Sequence, residues 1–168
     1  MRTDLLRAGR CLNRETGMVE IREAANAEMA VICALLEQAG LPTSDIAASN
    51  PLFMVLREDG IIVAVGGLQP FGSAALIRSI AVAAGRRGAG LGRVIVEELE
   101  KAARAARIDR LILLTQTARE FFAHQGFHVI ERSAAPQEVQ GSEEFRALCP
   151  ASATCMMKVL AEHAQEWP

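Results

Sequence analysis

Glycine and arginine residues are concentrated in one short segment near the middle of the sequence. Glycine lets a backbone approach an anion closely and adopt a positive φ at little cost, and arginine supplies positive charge. An apolar run, 76–82, precedes this segment and a helical pattern follows it, so a buried strand is predicted to lead into a helix N-terminus. Unpaired N–H groups and the dipole at such an end favour anions. The pattern therefore predicts a pyrophosphate cradle formed by Arg86, Arg87, Gly88, Gly90, Gly92 and Arg93.

Two other phosphate-binding motifs do not fit this spacing. A P-loop requires a lysine followed by serine or threonine after its second glycine, and this segment contains no lysine. A dinucleotide fingerprint requires Gly-x-Gly-x-x-Gly, which glycines at 88, 90 and 92 do not give. A glycine-rich turn without a ligand is the remaining alternative, and the three arginines argue against it.

The surrounding sequence predicts a central mixed β-sheet flanked by helices. Three consecutive strands followed by a strand–helix–strand crossover are typical of this α/β architecture. Gly66 and Gly67 inside an apolar strand predict a bulge or a close backbone approach, and 69–72 predicts a turn. A short helix toward Ser49 is predicted to be capped by Thr43 or Ser44. The other predicted strands are 18–22, 52–57, 61–68, 74–82, 110–114, 127–130 and 154–160, and the other predicted helices are 25–39, 90–106 and 118–124.

Composition favours a globular protein with one domain over 18–168 and a flexible polar arm over 1–17. The chain has 168 residues, of which 51% are hydrophobic, and a net charge of −2, which argues against nucleic acid as a partner. No apolar run reaches the roughly 18 residues that a membrane span needs, and no signal-peptide pattern begins the chain. We therefore expect a cytoplasmic protein without a membrane partner. The histidines and cysteines do not cluster, so no metal site is predicted.

The segment from Arg87 to Gly92 resembles the acetyl-CoA signature of the GNAT superfamily, Arg/Gln-x-x-Gly-x-Gly/Ala. The predicted strand order is also similar, and the resemblance covers about residues 18–160. It implies a GNAT-like fold and direct transfer of acetyl from acetyl-CoA to an amine in a ternary complex. The backbone of Ile80, Ala81 and Val82 is implied to bond the pantetheine arm. The other implied cofactor contacts are Arg87, Gly88, Ala89, Gly90, Leu91, Gly92, Arg93, Thr117, Phe121 and Phe122.

One departure from the family pattern concerns the general acid. Family members often place a tyrosine where Phe122 stands, and this chain contains no tyrosine. Either water or another side chain protonates the leaving thiolate, or the protein is not an active transferase; we favour the first interpretation. His124 is a candidate proton relay, although a histidine at a helix end more often complements the helix dipole.

A narrower resemblance, carried by 69–72, 76–82 and 145–156, is to a GNAT subgroup associated with bacterial arsenic-resistance operons. It implies a small-molecule amine substrate such as an arsenical or phosphinic amino acid, and GNAT relatives imply a homodimer. Arg78 is a candidate ligand for a carboxylate or oxyanion, with Ser79 beside it. Pairing of Arg78 inside the protein is equally compatible with the sequence.

Cys149 and Cys155 are further substrate candidates, because trivalent arsenic is thiophilic. They can meet only if 150–153 turns back, since six strand residues span roughly 20 Å. The alternative is one thiol in a loop and one packed in the last strand.

Three classes of function stay open, and the first is the one we favour. It is acetyl transfer to a small molecule. The second is a non-catalytic acyl-CoA-binding or thiol-based arsenical-sensing module, which the missing tyrosine and the cysteine pair favour. The third is a protein N-acetyltransferase, which would need an open groove for an extended chain.

Overall fold

The computed structural model describes residues 10–14 and 17–160. Within them, eight strands form one mixed sheet in the order β1-β2-β3-β4-β5-β6-β8-β7. The strands are β1 Arg10–Arg14, β2 Gly17–Glu23, β3 Leu52–Glu58, β4 Ile61–Phe71, β5 Ala74–Val82, β6 Arg110–Thr115, β7 His128–Val129 and β8 Thr154–Val159. The helices are α1 Met29–Gln38, α2 Ile46–Ser49, α3 Leu91–Ala105, α4 Arg119–His124, α5 Gln137–Gln140 and a π-helical segment, Glu144–Leu148. The predicted mixed sheet with helices is therefore confirmed.

The chain divides into two compact units. The first comprises the described residues up to Gly67 together with Ser79–Leu99, and the second comprises Leu68–Arg78 and the described residues from Glu100 onward. The prediction of one domain over 18–168 stays a prediction. In the described residues, no helix is both long enough and apolar enough to cross a membrane.

The core of the first unit lies between α1 and the strands β3 and β4. Ile32, Leu35 and Leu36 share one face of α1, as their spacing of three and four residues requires. They pack with Ile46, Phe53, Val55, Val65 and Ala81. The helical conformation ends before Gly40, which has φ of 72°. This agrees with the predicted end of the helix at residue 39.

Helix α3 packs against the backbone of β4 at Gly66. A β-carbon built on Gly66 would lie 2.5 Å from Ile95 Cγ2 and 2.9 Å from Leu99 Cδ1. No side chain fits at that distance, so the close backbone approach predicted for this strand is confirmed. Leu91, Ile95 and Leu99, spaced by four residues, form a buried apolar face of α3.

In the second unit, the first part of β5 pairs with β6 in parallel, Ala74–Leu76 against Arg110–Ile112. Strand β8 runs antiparallel along β6, and β7 pairs with β8 at His128 and Val129. A second apolar core forms on this part of the sheet from Ala74, Leu76, Ile112, Ala135, Val139, Phe145 and Cys155.

Three local predictions differ from the structure. Strand β4 continues through 69–71, and the turn falls at Gly72, whose φ is 64°. The stretch after Pro136, where the sequence analysis predicts no helix, contains α5 and the π-helical segment. Helix α2 begins after Asp45 rather than after Thr43 or Ser44.

The predicted flexible arm, 1–17, falls mostly outside the described residues. Its described part includes Arg10–Arg14, which form β1 and pair with β2. The antiparallel register matches Arg10 with Ile21 and Arg14 with Gly17.

Replacing Gly66 with alanine is expected to lower the free energy of unfolding by about 1–3 kcal/mol, because the added methyl group overlaps Ile95 and Leu99. Urea unfolding followed by circular dichroism measures this change. Gly85→Ala is the matched control, since a β-carbon at Gly85 meets no atom within 4 Å and should cost about 0.5 kcal/mol or less. Equal losses in the two variants would contradict the close packing of α3 on β4.

Candidate functional site

Residues 83–90 connect β5 to α3 and form the glycine-rich loop that the sequence singles out. Gly88 and Gly90 have φ of 82° and 80°, a conformation that side-chain-bearing residues rarely adopt. A β-carbon on either glycine would meet no atom of the described residues within 4 Å. The two glycines are therefore required by backbone conformation, and the space beside them is open.

The start of α3 presents backbone donors to this loop. The N–H of Val94 donates to the carbonyl of Gly90 at 3.3 Å. The N–H groups of Leu91, Gly92 and Arg93 therefore come before the first donor of the intrahelical ladder and have no acceptor within it. Donors in this position, together with the helix dipole, favour an anion. The loop therefore fits the pyrophosphate that its sequence predicts.

Arg86 and Arg87 of the loop and Arg93 in the first turn of α3 each have an acceptor within the protein. Arg87 Nε donates to the carbonyl of Val82 at 3.4 Å, and Arg93 Nε pairs with Glu97 at 3.0 Å. Arg86 Nη2 donates to Glu58 Oε1 at 2.6 Å. The guanidinium groups keep the loop positively charged, but in this arrangement they tie it to its own surroundings. The first backbone amides of α3 are candidate anion donors beside these guanidinium groups.

Ser79 changes the course of β5 directly before the three residues predicted to bond pantetheine. It is the one non-glycine strand residue with positive φ, 56°, in the part of the chain that the structure describes. It is also buried, with 8% of its surface exposed. Strain of this kind persists where the surrounding structure imposes it and is concentrated at functional sites.

Phe122, at the position where the family pattern often has tyrosine, lies in an aromatic cluster of the second unit. Its ring meets Phe121 at 5.0 Å and Phe127 at 5.7 Å, both edge to face. The side chain is 7% exposed and carries no proton to donate. Thr115 Oγ1 accepts a hydrogen bond from the N–H of Ala118 at 3.0 Å and so supports the turn into α4.

His124 lies at the end of α4, as predicted. Its Nδ1 is 2.8 Å from the carbonyl oxygen of Glu120, one turn earlier in the same helix. This contact is the one expected of a histidine that complements the end of a helix. Thr117, the remaining predicted cofactor contact in this segment, is exposed.

Arg78 is buried in an ion pair. Its side chain is 1% exposed, and its Nε lies 3.1 Å from Glu144 Oε2 in the π-helical segment. Its Nη1 donates to Gln69 Oε1 at 3.2 Å. Of the two interpretations that the sequence leaves open, internal pairing is therefore the one found in this structure. The positive charge of Arg78 is compensated before any acceptor binds.

Cys149 lies beside the same carboxylate. Its Sγ–H donates to Glu144 Oε1 at 3.6 Å, and burial together with the charge of Glu144 raises the pKa of its thiol to about 12. Cys155 is packed in the core of the second unit, and burial raises its pKa to about 11. The raised pKa keeps both groups as thiols near neutral pH and lowers their reactivity as nucleophiles.

The chain between the two cysteines does turn. The N–H of Ala153 donates to the carbonyl of Pro150 at 3.0 Å, and Arg132 donates to the carbonyls of Pro150 and Ala153. In the described residues, no three His, Cys, Asp or Glu side chains form a group that could hold a metal ion.

Sequence reasoning missed Glu144 and Arg132. A buried arginine needs a counter-charge, so Arg78 signals that a carboxylate should lie nearby. The sequence offers many carboxylates and no pattern that selects Glu144, 66 positions away. Arg132 donates to backbone carbonyl groups, and every residue type has one, so the sequence could not indicate these partners.

Comparison with known proteins bears on both parts of the chain. Residues 49–129 match the family model described as an acetyltransferase (GNAT) domain. The match includes the glycine-rich loop and the aromatic cluster around Phe122, and it ends before Arg132 and Glu144.

Several solved structures share the fold of this chain. N-acetylglutamate synthase from Neisseria gonorrhoeae, in complex with coenzyme A and N-acetyl-glutamate, has a TM-score of 0.74 and 22% identity over 86% of this chain. The present chain spans 35% of the length of that synthase. Rv2747 from Mycobacterium tuberculosis, in complex with CoA and a second ligand, has a TM-score of 0.73 and 25% identity, covering 84% of this chain and 99% of the other. The ribosomal-protein-S18-alanine N-acetyltransferase from Escherichia coli has a TM-score of 0.67 and 16% identity, covering 90% and 99%.

Removing Glu144 as alanine is expected to lower the free energy of unfolding by about 3–5 kcal/mol, because Arg78 would stay buried without this counter-charge. The double variant Arg78→Met, Glu144→Met should recover much of the loss, since it buries no charge. Guanidinium unfolding measures both. Glu143→Ala is the matched control, because this neighbour is 55% exposed and its pair with Arg146 is long, at 3.9 Å. A Glu144→Ala loss no larger than that of the control would contradict the role assigned to the ion pair.

Proposed function

We propose that this protein is an N-acetyltransferase that moves acetyl from acetyl-CoA to the amine of a small molecule by direct transfer in a ternary complex. The observation that carries the proposal is the loop before α3, where two positive-φ glycines lie next to open space and lead into the helix amides that precede the first intrahelical donor, Val94. The loop lies inside the stretch that matches the GNAT domain. The similar Neisseria and Mycobacterium proteins were both solved with coenzyme A.

Two sets of residues in the first unit would bind two parts of the cofactor, its pyrophosphate and its pantetheine arm. The N–H groups from Gly88 to Arg93 would bind the pyrophosphate, and the backbone of Ile80, Ala81 and Val82 would bond the pantetheine arm as an added strand edge. Acetyl-CoA, when bound, supplies an acetyl group activated as a thioester. Thr117, Phe121 and Phe122 stay predicted contacts of the cofactor.

The proposed acetyl transfer can proceed without an ionisable side chain as general acid or general base. An amine must lose a proton before it attacks, and a water path to solvent can take that proton. A backbone N–H near Ile80 is the proposed donor to the carbonyl oxygen as negative charge develops there. Much of the rate then comes from holding the two reactants together. Because Phe122 has no proton to donate, we propose that water protonates the departing thiolate.

The acceptor proposed here is an amino acid or a close analogue, including arsenical and phosphinic amino acids. The resemblance of 69–72 and 145–156 to the arsenic-associated subgroup supports this class, and the Neisseria synthase was solved with N-acetyl-glutamate. Arg78 and Ser79 are the acceptor-side residues of the proposal, with Arg78 acting together with Glu144.

The test is steady-state release of free CoA from acetyl-CoA with a panel of amines that includes L-glutamate, an arsenical amino acid and a phosphinic amino acid. We expect release that depends on one class of amine, with the acetylated product identified by mass spectrometry. Release that no amine increases would contradict the transferase. Tight acetyl-CoA binding in that case would favour the second candidate, a binding module, for which the aromatic surroundings of Phe122 and the absence of tyrosine from the chain argue.

Gly90→Trp is expected to weaken CoA binding at least 100-fold, because the indole would fill the open space beside the loop and strain a backbone with φ of 80°. Isothermal titration with CoA measures the dissociation constant. Gly72→Trp is the matched control, since Gly72 also has positive φ, 64°, and open space around it but lies in the turn after β4. Equal CoA affinity in a folded Gly90→Trp protein and in the control would place the cofactor elsewhere.

A further inference from the structure

An ion pair connects the glycine-rich loop to the end of β3. Arg86 Nη2 lies 2.6 Å from Glu58 Oε1, across 28 positions of sequence. The two side chains are 41% and 23% exposed, so the pair is partly shielded from water. Sequence reasoning assigned Arg86 only the role of a positive charge near the predicted anion.

Glu58 is a firm point of attachment. It is the last residue of β3 and lies opposite Val19 in the antiparallel pairing of β3 with β2. On the other side of the pair, the N–H of Arg86 donates to the carbonyl of Ala83 at 2.8 Å, and the N–H of Ala83 donates to the carbonyl of Val63 at 2.8 Å. Main-chain and side-chain bonds therefore anchor the chain up to Arg86 on the strands of the first unit.

After Arg86 the loop is anchored less firmly, because Arg87 Nε donates to the carbonyl of Val82 at the longer distance of 3.4 Å. Gly88 and Gly90 have open space around them and the freest backbone of any residue type. The direction in which the next amides point thus depends on how firmly Arg86 is held. Arg86 Nε is itself buried without a hydrogen-bond partner in the described residues, so the contact with Glu58 is the polar contact that fixes this guanidinium.

The pair also determines the net charge near the proposed anion site. A carboxylate near a bound pyrophosphate repels it, and the repulsion is strong where water is partly excluded. Arg86 neutralises Glu58 at 2.6 Å, so the loop gains an anchor without a net negative charge.

We propose that Arg86 and Glu58 form a positioning pair that sets the orientation of the pyrophosphate-binding amides. Neither side chain needs to touch the cofactor, because each acts through the loop. The proposal rests on the proposed function, since it assumes that the loop binds CoA.

The test compares CoA dissociation constants, measured by isothermal titration, for the wild-type protein, Arg86→Met, Glu58→Gln and the double variant. Arg86→Met should weaken binding about tenfold, because it frees the loop and leaves Glu58 unneutralised, and Glu58→Gln should weaken it about threefold. The double variant should bind no more weakly than Arg86→Met, because one interaction can be lost only once. Arg86→Lys, which keeps the charge, should lie between wild type and Arg86→Met.

The sign of the Glu58→Gln effect decides between positioning and direct contact. If Arg86 instead grips the phosphate, removing Glu58 frees the guanidinium and removes a repulsion, so CoA should bind more tightly, and the proposal fails. Losses in the two single variants that multiply in the double variant would also overturn it.

Arg57→Met is the control for a general effect at this end of β3. Arg57 is adjacent to Glu58, donates to the carbonyl of Gly60 at 2.9 Å and lies outside the loop, so its loss should leave the CoA dissociation constant unchanged. A wild-type protein that does not bind CoA would defeat the proposed function itself. CoA binding by the wild type without coupling between Arg86 and Glu58 would defeat the positioning pair alone.

Discussion

The packing of α3 on β4 is the constraint on which the candidate cofactor site depends. At Gly66 the helix lies so close to the strand that a β-carbon would come within 2.5 Å of Ile95. This contact holds α3 against the strand, and with it the amides of Leu91, Gly92 and Arg93, which precede the first intrahelical donor. A side chain at position 66 would force the helix outward and move those donors with it.

The same unit separates anchoring from ligand binding. Arg86, Arg87 and Arg93 are engaged by Glu58, Val82 and Glu97, while the amides at the start of α3 face no intrahelical acceptor. Side chains thus hold the loop in place, and the backbone supplies the donors. An anion site built in this way tolerates many side chains but few backbone geometries, which explains why glycine is needed at 88 and 90.

The features that the sequence predicts correctly are those that a residue type imposes locally. A missing β-carbon marks Gly66, positive φ marks Gly88 and Gly90, and a three-to-four residue spacing marks the buried face of α3. Features that depend on distant partners could not be predicted. The pairs Arg78–Glu144 and Arg86–Glu58 join residues far apart in sequence. The sequence contains many acidic residues and does not indicate which of them pairs with each arginine. The π-helical segment was not predicted, because its sequence is partly polar and does not indicate that Glu144 and Phe145 are buried.

The central claim, that backbone amides at the start of α3 bind the pyrophosphate of CoA, can be measured directly. Two-dimensional NMR of the ¹⁵N-labelled protein, titrated with CoA, reports on each amide separately. The account predicts that the amides from Gly88 to Arg93 show the largest downfield shifts, as expected of donors that gain a charged acceptor. CoA binding that leaves these amides unchanged while others respond would contradict it.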